Sequence, residues 1–183
     1  MRPDLWPAGS TFTTLKSPVG QLLLTSDGKA LTGLYPPSHR SLPDTSELTR
    51  DDALFSGIRD QLDAYFRGKL SEFTVPLKPA GTEFQQAVWQ QLSRIPCGVT
   101  RTYAEVAAAA GRPSATRAVG AAIGKNPILI IIPCHRVVGS SRALTGYAGG
   151  PELKRWLLEH EAAMLPWRII PAEKMIVPAR SFA

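Results

Sequence analysis

The chain has 183 residues, 44% of them apolar and 20% charged, a balance that suits one large or two small globular domains and argues against a disordered or fibrous chain. Its net charge is +6, and its two cysteines are too few for a disulfide scaffold or a four-thiolate zinc site. No apolar run reaches the roughly 18 residues of a membrane span and residues 1–10 lack the apolar stretch of a signal peptide, so we expect a cytoplasmic protein.

The first part of the chain predicts a small sheet followed by a helix. Asp52–Phe66 carries apolar residues at helical spacing, and Gly68 stands where glycine commonly ends a helix. Phe73–Leu77 predicts one more strand, and residues 79–81 predict a linker. Three runs of apolar or β-branched residues, the last two separated by an Asp-Gly turn signal, predict strands over Thr11–Lys16, Gly20–Thr25 and Ala30–Tyr35.

The second part predicts a series of short helices. Residues 82–85 and 102–105 each show the capping-box pattern, which satisfies the free N–H groups at the start of a helix. A third helix is predicted to run from its cap, Ser114, through Gly124. Two short helices joined by the tight turn at residues 111–113 indicate a helix-turn-helix. Small residues predict the buried side of the third helix: Ala118, Val119, Ala121 and Ala122.

Three further segments complete the chain. Ile128–Ile132 is a run of five apolar residues and predicts a buried strand or extended core segment. Pro151–Glu161 predicts the last helix, because proline suits a first helical turn and the apolar residues that follow recur at helical spacing. The tail over residues 166–183 shows no steady period, and we assign it no function.

The positive charge is concentrated in one segment. Residues 94–142 carry seven basic side chains against the single acidic Glu105, whereas residues 1–80 hold equal numbers of basic and acidic side chains. A basic segment beside a neutral one indicates a polyanionic partner that faces one part of the molecule. A solvated basic surface explains the same charge equally well.

Cys134 stands directly after the apolar run and directly before His135 and Arg136. The thiolate is the nucleophilic form of cysteine, and a nearby histidine or arginine lowers the pKa of the thiol. Because adjacent side chains of an extended chain point in opposite directions, contact between Cys134 and His135 requires a turn there. Glu161, on the inward side of the last helix, is the candidate to orient His135. The alternative is a buried, inert cysteine.

Other kinds of site have little support in the sequence. Cys97 also follows a proline, but no histidine comes after it, and we expect no role for it in the chemistry. His39 and His160 stand far apart and no metal-ligand spacing occurs, so we predict no metal site. No glycine-rich phosphate loop is present, and we predict no cofactor.

The segment Ile132–Val138 resembles the active-site motif of the O6-alkylguanine-DNA alkyltransferases. The resemblance is close over residues 82–162 and looser over residues 1–80. Agreement at several separate motifs outweighs the alternative of an inert cysteine. The further motifs that match in the family's order and spacing are Phe84-Gln85 through Trp89, Thr102-Tyr103, Arg117–Gly120, Asn126-Pro127, Gly146–Gly150 and Leu157–Glu161.

That resemblance implies an α/β (α+β) protein of two parts. Residues 1–78 would form a small ribonuclease H-like domain of sheet and helix. Residues 82–165 would form a helical, winged-helix-like domain that contains the helix-turn-helix, binds DNA and receives the alkyl group. We expect a monomer in solution, with cooperative assembly on DNA left open, and no membrane partner.

The resemblance also implies a reaction, the direct reversal of DNA damage. The partner would be duplex DNA containing O6-alkylguanine, with O4-alkylthymine as a further substrate. The damaged base would flip out of the helix, and its alkyl group would move irreversibly to Cys134, so that each protein molecule acts once. The base-flipping step fits a thiol that must reach an atom inside the duplex.

Four residues take catalytic roles by this resemblance. Glu161 would orient His135, which would deprotonate Cys134 through a water molecule. Tyr103 would donate a hydrogen bond to the purine as it leaves, because guanine is a poor leaving group unless its developing charge is met by donors. Asn126 would act structurally and pin the turn that carries Cys134 against the helix-turn-helix.

Other matched residues would surround the base and the DNA. The backbone N–H of Ala148 would meet the guanine oxygen, Tyr147 would form a wall of the pocket, and the carbonyls of Cys134 and Val137 would accept from the exocyclic amine. Arg117 would fill the gap left by the flipped base, while small residues on its helix approach the minor groove and Lys125 contacts phosphate. The predicted DNA-binding residues are Arg117, Ala118, Ala121 and Lys125.

Two functions of other classes compete with this assignment. A DNA-binding lesion sensor or regulator without catalysis would lack the reactive cysteine, whereas Cys134 is intact. A cysteine hydrolase would use Cys134, His135 and Glu161. The adjacent order of the cysteine and histidine, the basic helix-turn-helix and the lack of an evident oxyanion loop argue against it.

Overall fold

The computed structural model describes residues 9–144 and 146–164. The tail predicted over residues 166–183 lies outside the described residues, as does position 145. Within those two ranges no helix is both long and apolar enough to cross a bilayer. The strands are β1 (Thr11–Ser17), β2 (Gly20–Ser26), β3 (Leu31–Tyr35), β4 (Thr49–Arg50), β5 (Arg101–Thr102) and β6 (Val137–Val138). The α-helices are α1 (Ser56–Phe66), α2 (Glu83–Ser93), α3 (Tyr103–Ala109), α4 (Thr116–Ile123) and α5 (Pro151–Met164).

Strands β1 to β4 form one mixed sheet in the order β3-β2-β1-β4. β2 pairs antiparallel with both β1 and β3, whereas β4 runs parallel to the start of β1. The three strands predicted from the sequence are confirmed. Gly28, in the turn between β2 and β3, has a φ of 90°, a conformation that a side chain would strain. Leu24 of β2 and Leu62 of α1 are fully buried in the same core.

Two predictions for this part were wrong in detail. Helix α1 begins at Ser56 and not at Asp52, because the carboxylate of Asp51 accepts the backbone N–H groups two and three residues further on and holds them in turns. Phe73–Leu77 forms no strand but makes a single parallel bridge to Leu31. The segment contains a proline, which has no N–H to donate to a longer ladder.

Helices α2 and α3 begin at the predicted capping boxes. The hydroxyls of Thr82 and Thr102 each accept the backbone N–H three residues further on, whose own side chain accepts the N–H of the cap residue. Helix α2 also supports the second helix of the helix-turn-helix, because Trp89 Nε1 donates to the carbonyl of Ala122 in α4 at 2.9 Å. Local capping therefore starts these helices, and a buried indole fixes how α4 lies on α2.

Helix α4 differs from its prediction at its start and in its buried face. Ser114 does not cap it; the chain forms a turn there, in which the Ala115 N–H bonds to the Arg112 carbonyl, and α4 starts without a side-chain cap. Ala118 and Ala121 are exposed, because the opposite face of the helix packs on α2 and α3. The buried residues of α4 are Val119, Ala122 and Ile123.

The apolar run Ile128–Ile132 is buried, as predicted, but it is not a strand. It forms overlapping turns, in which the last N–H of the run bonds to its first carbonyl and Ile130 has a φ of 72°. Its contact with the sheet is an isolated parallel bridge to Leu34 of β3. The turns lead into a 3₁₀ turn over Cys134–Arg136.

Helix α5 continues beyond its predicted end at Glu161 to Met164. It packs against the 3₁₀ turn and reaches α1, where His160 Nε2 donates to the carbonyl of Tyr65 at 2.8 Å. β5 and β6 pair in parallel as a short ribbon that the sequence analysis did not predict. The mixed architecture, with a sheet domain first and a helical domain second, confirms the predicted fold class.

Candidate active site

Cys134 opens the 3₁₀ turn, and its side chain is buried. Its Sγ accepts a hydrogen bond from Asn126 Nδ2 at 3.1 Å. Burial raises the pKa of the thiol to about 11, although the Asn126 hydrogen bond and the charge of Lys154 act in the opposite direction. The thiol is therefore neutral near pH 7 and needs a base to become a nucleophile.

Asn126 connects the end of α4 to the turns that carry Cys134. Besides its bond to Sγ, its Nδ2 donates to the carbonyl of Ile132 at 2.8 Å, and its Oδ1 accepts the N–H of Ile128 at 3.0 Å. The side chain is 1% exposed, so both hydrogens of its amide nitrogen and its oxygen have partners inside the protein. These are the contacts that a residue pinning this turn would make.

Glu161 holds the two residues that follow Cys134. Its Oε1 accepts from His135 Nε2 at 2.9 Å and from Arg136 Nη2 at 2.8 Å. Its Oε2 accepts from Arg136 Nε at 2.9 Å. The tight 3₁₀ turn directs both side chains towards α5, where Glu161 is fully buried. The turn that the sequence required at this position is present.

The charge state of this cluster follows from its burial. Burial opposes ionisation of Glu161, yet His135 and Arg136 hold the pKa of its carboxyl well below the ordinary value. Burial lowers the pKa of His135 although Glu161 acts in the opposite direction. Because Nε2–H donates to Glu161, a neutral ring has its basic lone pair on Nδ1. Nδ1 is buried and has no hydrogen-bond partner among the described residues.

Three groups around Glu161 were not predicted from the sequence. The Tyr65 hydroxyl donates to Oε1 at 2.9 Å, and the Gly98 N–H donates to Oε2 at 3.1 Å. Cys97, to which the sequence assigned no role, also faces the carboxylate, and burial together with Glu161 raises the pKa of its thiol to about 12. Within the described ranges, no group of three or more His, Cys, Asp or Glu side chains is arranged to hold a metal ion.

Lys154 is a fully buried lysine on α5 that the sequence analysis missed. Its Nζ donates to the carbonyl of Val137 at 2.6 Å, which leaves that oxygen a second lone pair. Burial lowers the pKa of Lys154 to about 8, and the interaction with Cys134 opposes this shift. The sequence held one signal for it: Lys154 directly follows Leu153, an inward-facing residue of α5, and a charged side chain is unusual so close to the buried side of a helix.

The residues predicted to surround the base lie beside this cluster. Tyr147 and Ala148 are buried, and the rings of Tyr147 and His135 are 6.3 Å apart, edge to face. The hydroxyl of Tyr147 is buried without a hydrogen-bond partner among the described residues. Tyr103, at the start of α3, donates its hydroxyl to the carbonyl of Gly146 at 3.1 Å. The structure thus joins the helix-turn-helix to the loop that carries Tyr147 and Ala148.

The predicted DNA-binding residues share the exposed side of α4 and its C-terminal end. This exposed set consists of Arg117, Ala118, Ala121 and Lys125. The basic segment as a whole does not face solvent, because Arg136 is buried and bound to Glu161. The basic surface available to a polyanion therefore includes only part of the segment 94–142.

Two family profiles match the chain. The DNA-binding domain of 6-O-methylguanine DNA methyltransferase matches residues 83–163, which include α2 to α4, nearly all of α5 and Cys134. The ribonuclease-like domain of 6-O-methylguanine DNA methyltransferase matches residues 11–79, which include β1 to β4 and α1. Together the two matches account for most of the described residues.

Individual relatives agree with the profiles. A Mycobacterium tuberculosis protein named methylated-DNA–protein-cysteine methyltransferase is 50% identical over 155 residues, covering 85% of this chain and 94% of the relative. A Methanosarcina mazei protein of the same name is 47% identical over 151 residues, covering 82% and 96%. The crystal structure of the M. tuberculosis O6-methylguanine methyltransferase has a TM-score of 0.80 at 50% identity, covering 86% of this chain and 95% of that one. A structure of the M. tuberculosis protein in complex with DNA also has a TM-score of 0.80 at 50% identity, covering 85% and 95%.

Proposed function

The chain belongs to the 6-O-methylguanine DNA methyltransferase family and is a methylated-DNA–protein-cysteine methyltransferase, and on that premise we propose that Cys134 accepts the alkyl group of O6-alkylguanine in duplex DNA. The observation that carries this assignment is the buried thiol one residue before His135, whose Nε2 lies 2.9 Å from Glu161. Cys97 lacks this arrangement, because glycine and not histidine follows it. The Glu161 carboxylate also raises the pKa of the Cys97 thiol, whereas Asn126 and Lys154 lower that of Cys134.

His135 is the base that removes the proton of Cys134 in this proposal. The Nε2–H bond to Glu161 fixes the tautomer and leaves Nδ1 to receive a proton. In this proposal a water molecule would carry the proton from Sγ to Nδ1, as in the family that the chain resembles. The imidazolium that forms is stabilised by the ionised Glu161, whose carboxyl stays deprotonated because its pKa is far below neutrality. Arg136 keeps that carboxylate in place with two hydrogen bonds.

Lys154 would support the same step through its positive charge. A thiolate in a buried site is unfavourable unless a positive charge offsets the loss of water. The ammonium of Lys154 lowers the pKa of Cys134, and Cys134 raises that of Lys154, so each group favours the charged form of the other. When the thiol ionises, the thiolate and the ammonium therefore stabilise each other.

The transfer itself is an in-line displacement at the alkyl carbon. A bond forms between Sγ and that carbon while the bond from carbon to O6 breaks, and the electron pair stays on guanine. The Ala148 N–H would donate to the departing purine, and so would the Tyr103 hydroxyl once it exchanges its bond to the Gly146 carbonyl for one to the base. The purine then regains a proton from solvent. The product is a thioether, whose carbon–sulfur bond is stable to hydrolysis, so each molecule would react once. The same displacement at O4-alkylthymine gives the same thioether.

The exposed face of α4 suits the DNA step of this proposal. The alkyl carbon lies inside the duplex, so the base has to leave the stack before a buried thiol reaches it. Ala118 and Ala121 present only methyl groups to solvent, which allows the helix to approach a minor groove closely. Arg117 extends from the same face to fill the gap, and Lys125 lies where a phosphate contact completes the approach.

Replacement of Arg117 by alanine separates the DNA step from the chemistry. We expect repair of duplex DNA to slow by roughly 10- to 100-fold, because the unstacked state loses the side chain that fills the gap and flipping a base costs a few kcal/mol. Reaction with free O6-benzylguanine, which needs no flipping, should stay within about twofold. Rates on both substrates are measured side by side, and equal losses on the two would remove this role from Arg117.

Mass measurement of the intact protein tests the function directly. The protein is incubated with duplex DNA that contains one O6-methylguanine, and the mass and the modified peptide are determined. We expect a gain of a single methyl group per chain, located on Cys134, with no further turnover. An unchanged mass with tight binding to the lesion would indicate a sensor, and repeated turnover would indicate a hydrolase; either result would overturn the proposal.

A further inference from the structure

Tyr65 links the sheet domain to the carboxylate of the site. It lies on α1, in the part of the chain outside the DNA-binding domain match, and its side chain is fully buried. Its hydroxyl donates to Glu161 Oε1 at 2.9 Å, the same oxygen that accepts from His135 Nε2. The sheet domain therefore contributes a hydrogen bond directly to the pair that would activate Cys134.

Contacts to both the backbone and the ring of Tyr65 fix the position of its hydroxyl. The backbone carbonyl of Tyr65 accepts from His160 Nε2 at 2.8 Å, and the two rings meet edge to face at 5.2 Å. Phe73 packs against the Tyr65 ring at 5.4 Å. Because His160 precedes Glu161 on α5, these contacts hold α1 and α5 in register and direct the phenol at Oε1.

We propose that Tyr65 is a positioning residue for the alkyl transfer, and that its phenol, supplied by the sheet domain, controls how strongly Glu161 accepts from His135. The inference rests on the proposed role of the His135–Glu161 pair. It gives the sheet domain a specific chemical part in the reaction, in addition to its part in folding.

The physical argument concerns how one oxygen is shared. Glu161 Oε1 accepts from Tyr65, His135 and Arg136 at once. Each donor draws electron density from the oxygen and weakens its attraction for the others. Removal of the Tyr65 hydroxyl therefore strengthens the interaction of Oε1 with His135 and favours the imidazolium form. The pKa of His135 rises, and its neutral, basic form is reached only at higher pH.

The remaining groups that face the pair are the same in the variant. His135 meets charges from α5 and from its own 3₁₀ turn, and Glu161 also meets a thiol from the connector between α2 and β5. Burial keeps the ring of Tyr147 beside His135 un-ionised. Among the described residues, the titratable groups around the pair, apart from Tyr65, are Cys97, Cys134, Arg136, Tyr147 and Lys154.

The test is the pH dependence of Cys134 alkylation in the Tyr65→Phe variant. Free O6-benzylguanine serves as the substrate, so that DNA binding does not enter. We expect the acidic limb of the rate profile to move to higher pH by roughly 0.5 to 1 unit, with a loss of about 3- to 10-fold on that limb and a plateau within about twofold of the native rate. Tyr35→Phe is the matched control, since Tyr35 is another buried tyrosine of the sheet domain and, unlike Tyr65, makes no hydrogen bond to Glu161.

A second variant probes the hydrogen bond without removing it. Site-specific 3-fluorotyrosine at position 65 makes the phenol a stronger donor, and we expect the acidic limb to move to lower pH than in the native protein. A purely structural role predicts a changed thermal midpoint and an unchanged limb. Coincident limbs for the native protein, Tyr65→Phe and the fluorinated protein would overturn the inference.

The result is distinguishable from a failure of the proposed function. If the native protein takes a methyl group on Cys134 but the limbs coincide, the role of Tyr65 alone is wrong. If the native protein takes no methyl group from O6-methylguanine DNA, the proposed function is wrong, and the inference about Tyr65 is overturned with it.

Discussion

Serine in place of Cys134 should abolish alkyl transfer while leaving DNA binding intact. The hydroxyl of serine is a far weaker nucleophile than a thiol and has no base strong enough beside it, so the rate should fall by at least about 1,000-fold. The fold should tolerate the change, because Asn126 Nδ2, which donates to Sγ at 3.1 Å, finds a hydroxyl oxygen in the same place. The exposed residues Arg117 and Lys125 are not affected. The measurements are the intact mass after incubation with methylated DNA and the affinity for the same duplex.

Cys97→Ser is the matched control for this experiment. Both cysteines are buried, and both follow a proline, so the two variants make the same chemical change at two buried positions. We expect the Cys97 variant still to gain one methyl group on Cys134. A methyl group found on Cys97 in the Cys134 variant, at a rate near that of the native protein, would contradict the assignment of the acceptor.

Replacement of Glu161 by glutamine should reduce both stability and activity. Glutamine has the same shape, but it leaves the guanidinium of Arg136 buried without a countercharge and places an amide among hydrogen-bond donors. Loss of one partner of a buried ion pair destabilises by about 3–5 kcal/mol. The neutral amide also removes the charge that stabilises the imidazolium of His135, so alkylation of Cys134 should slow by at least about 100-fold. Urea unfolding and single-turnover rates measure the two effects.

The stability effect should depend on pH in a defined direction. The pKa of Glu161 in the folded protein is well below its ordinary value of 4.5, so folding favours the ionised carboxylate. Its contribution is fully present above pH 4.5 and is lost as the pH falls towards the lower, folded value. The difference in unfolding free energy between the native protein and Glu161→Gln should therefore be constant from about pH 6 to 8 and shrink below about pH 4.

Glu159→Gln provides the control on the same helix. Glu159 is exposed on α5, two residues before Glu161, and the same substitution there should change the unfolding free energy by no more than about 0.5 kcal/mol. A comparable loss in both variants would mean that the charge on α5 matters in general. That result would remove the specific role assigned to the buried pair.

Much of the local structure could be predicted because its causes are local. In the capping boxes at Thr82 and Thr102, both hydrogen-bonding partners lie within four residues of each other. The first three strands are short apolar or β-branched runs separated by turn residues. The motif around Cys134 placed the thiol, His135 and the need for a turn in one short segment. The inward face of the last helix identified Glu161, because helical spacing alone decides which side a residue occupies.

Other features depend on partners that are distant in the chain. The run Ile128–Ile132 has the composition of a strand, yet Asn126 draws it into overlapping turns through bonds to its first N–H and last carbonyl. Lys154 lies beside an inward position of α5, and only the approach of Val137 gives its ammonium a buried acceptor. Hydrophobic pattern predicts burial well, but it does not predict which backbone geometry a buried segment adopts.

The sequence by itself predicted the first three strands and the order of the helices, pointed to the family, and singled out Cys134 and its neighbours as the candidate site. These depend on residues a few positions apart, whose relation is set by helical or strand periodicity and by short motifs. The tertiary structure alone decided which groups share the Glu161 carboxylate. These groups come from separate parts of the chain: Tyr65 of α1, the Gly98 N–H and Cys97 of the connector, and Arg136 of the 3₁₀ turn. These groups reach Glu161 because helices and turns that are distant in the chain pack on a common core. A buried carboxylate stays ionised only where several donors converge on it, so its charge state depends on that packing.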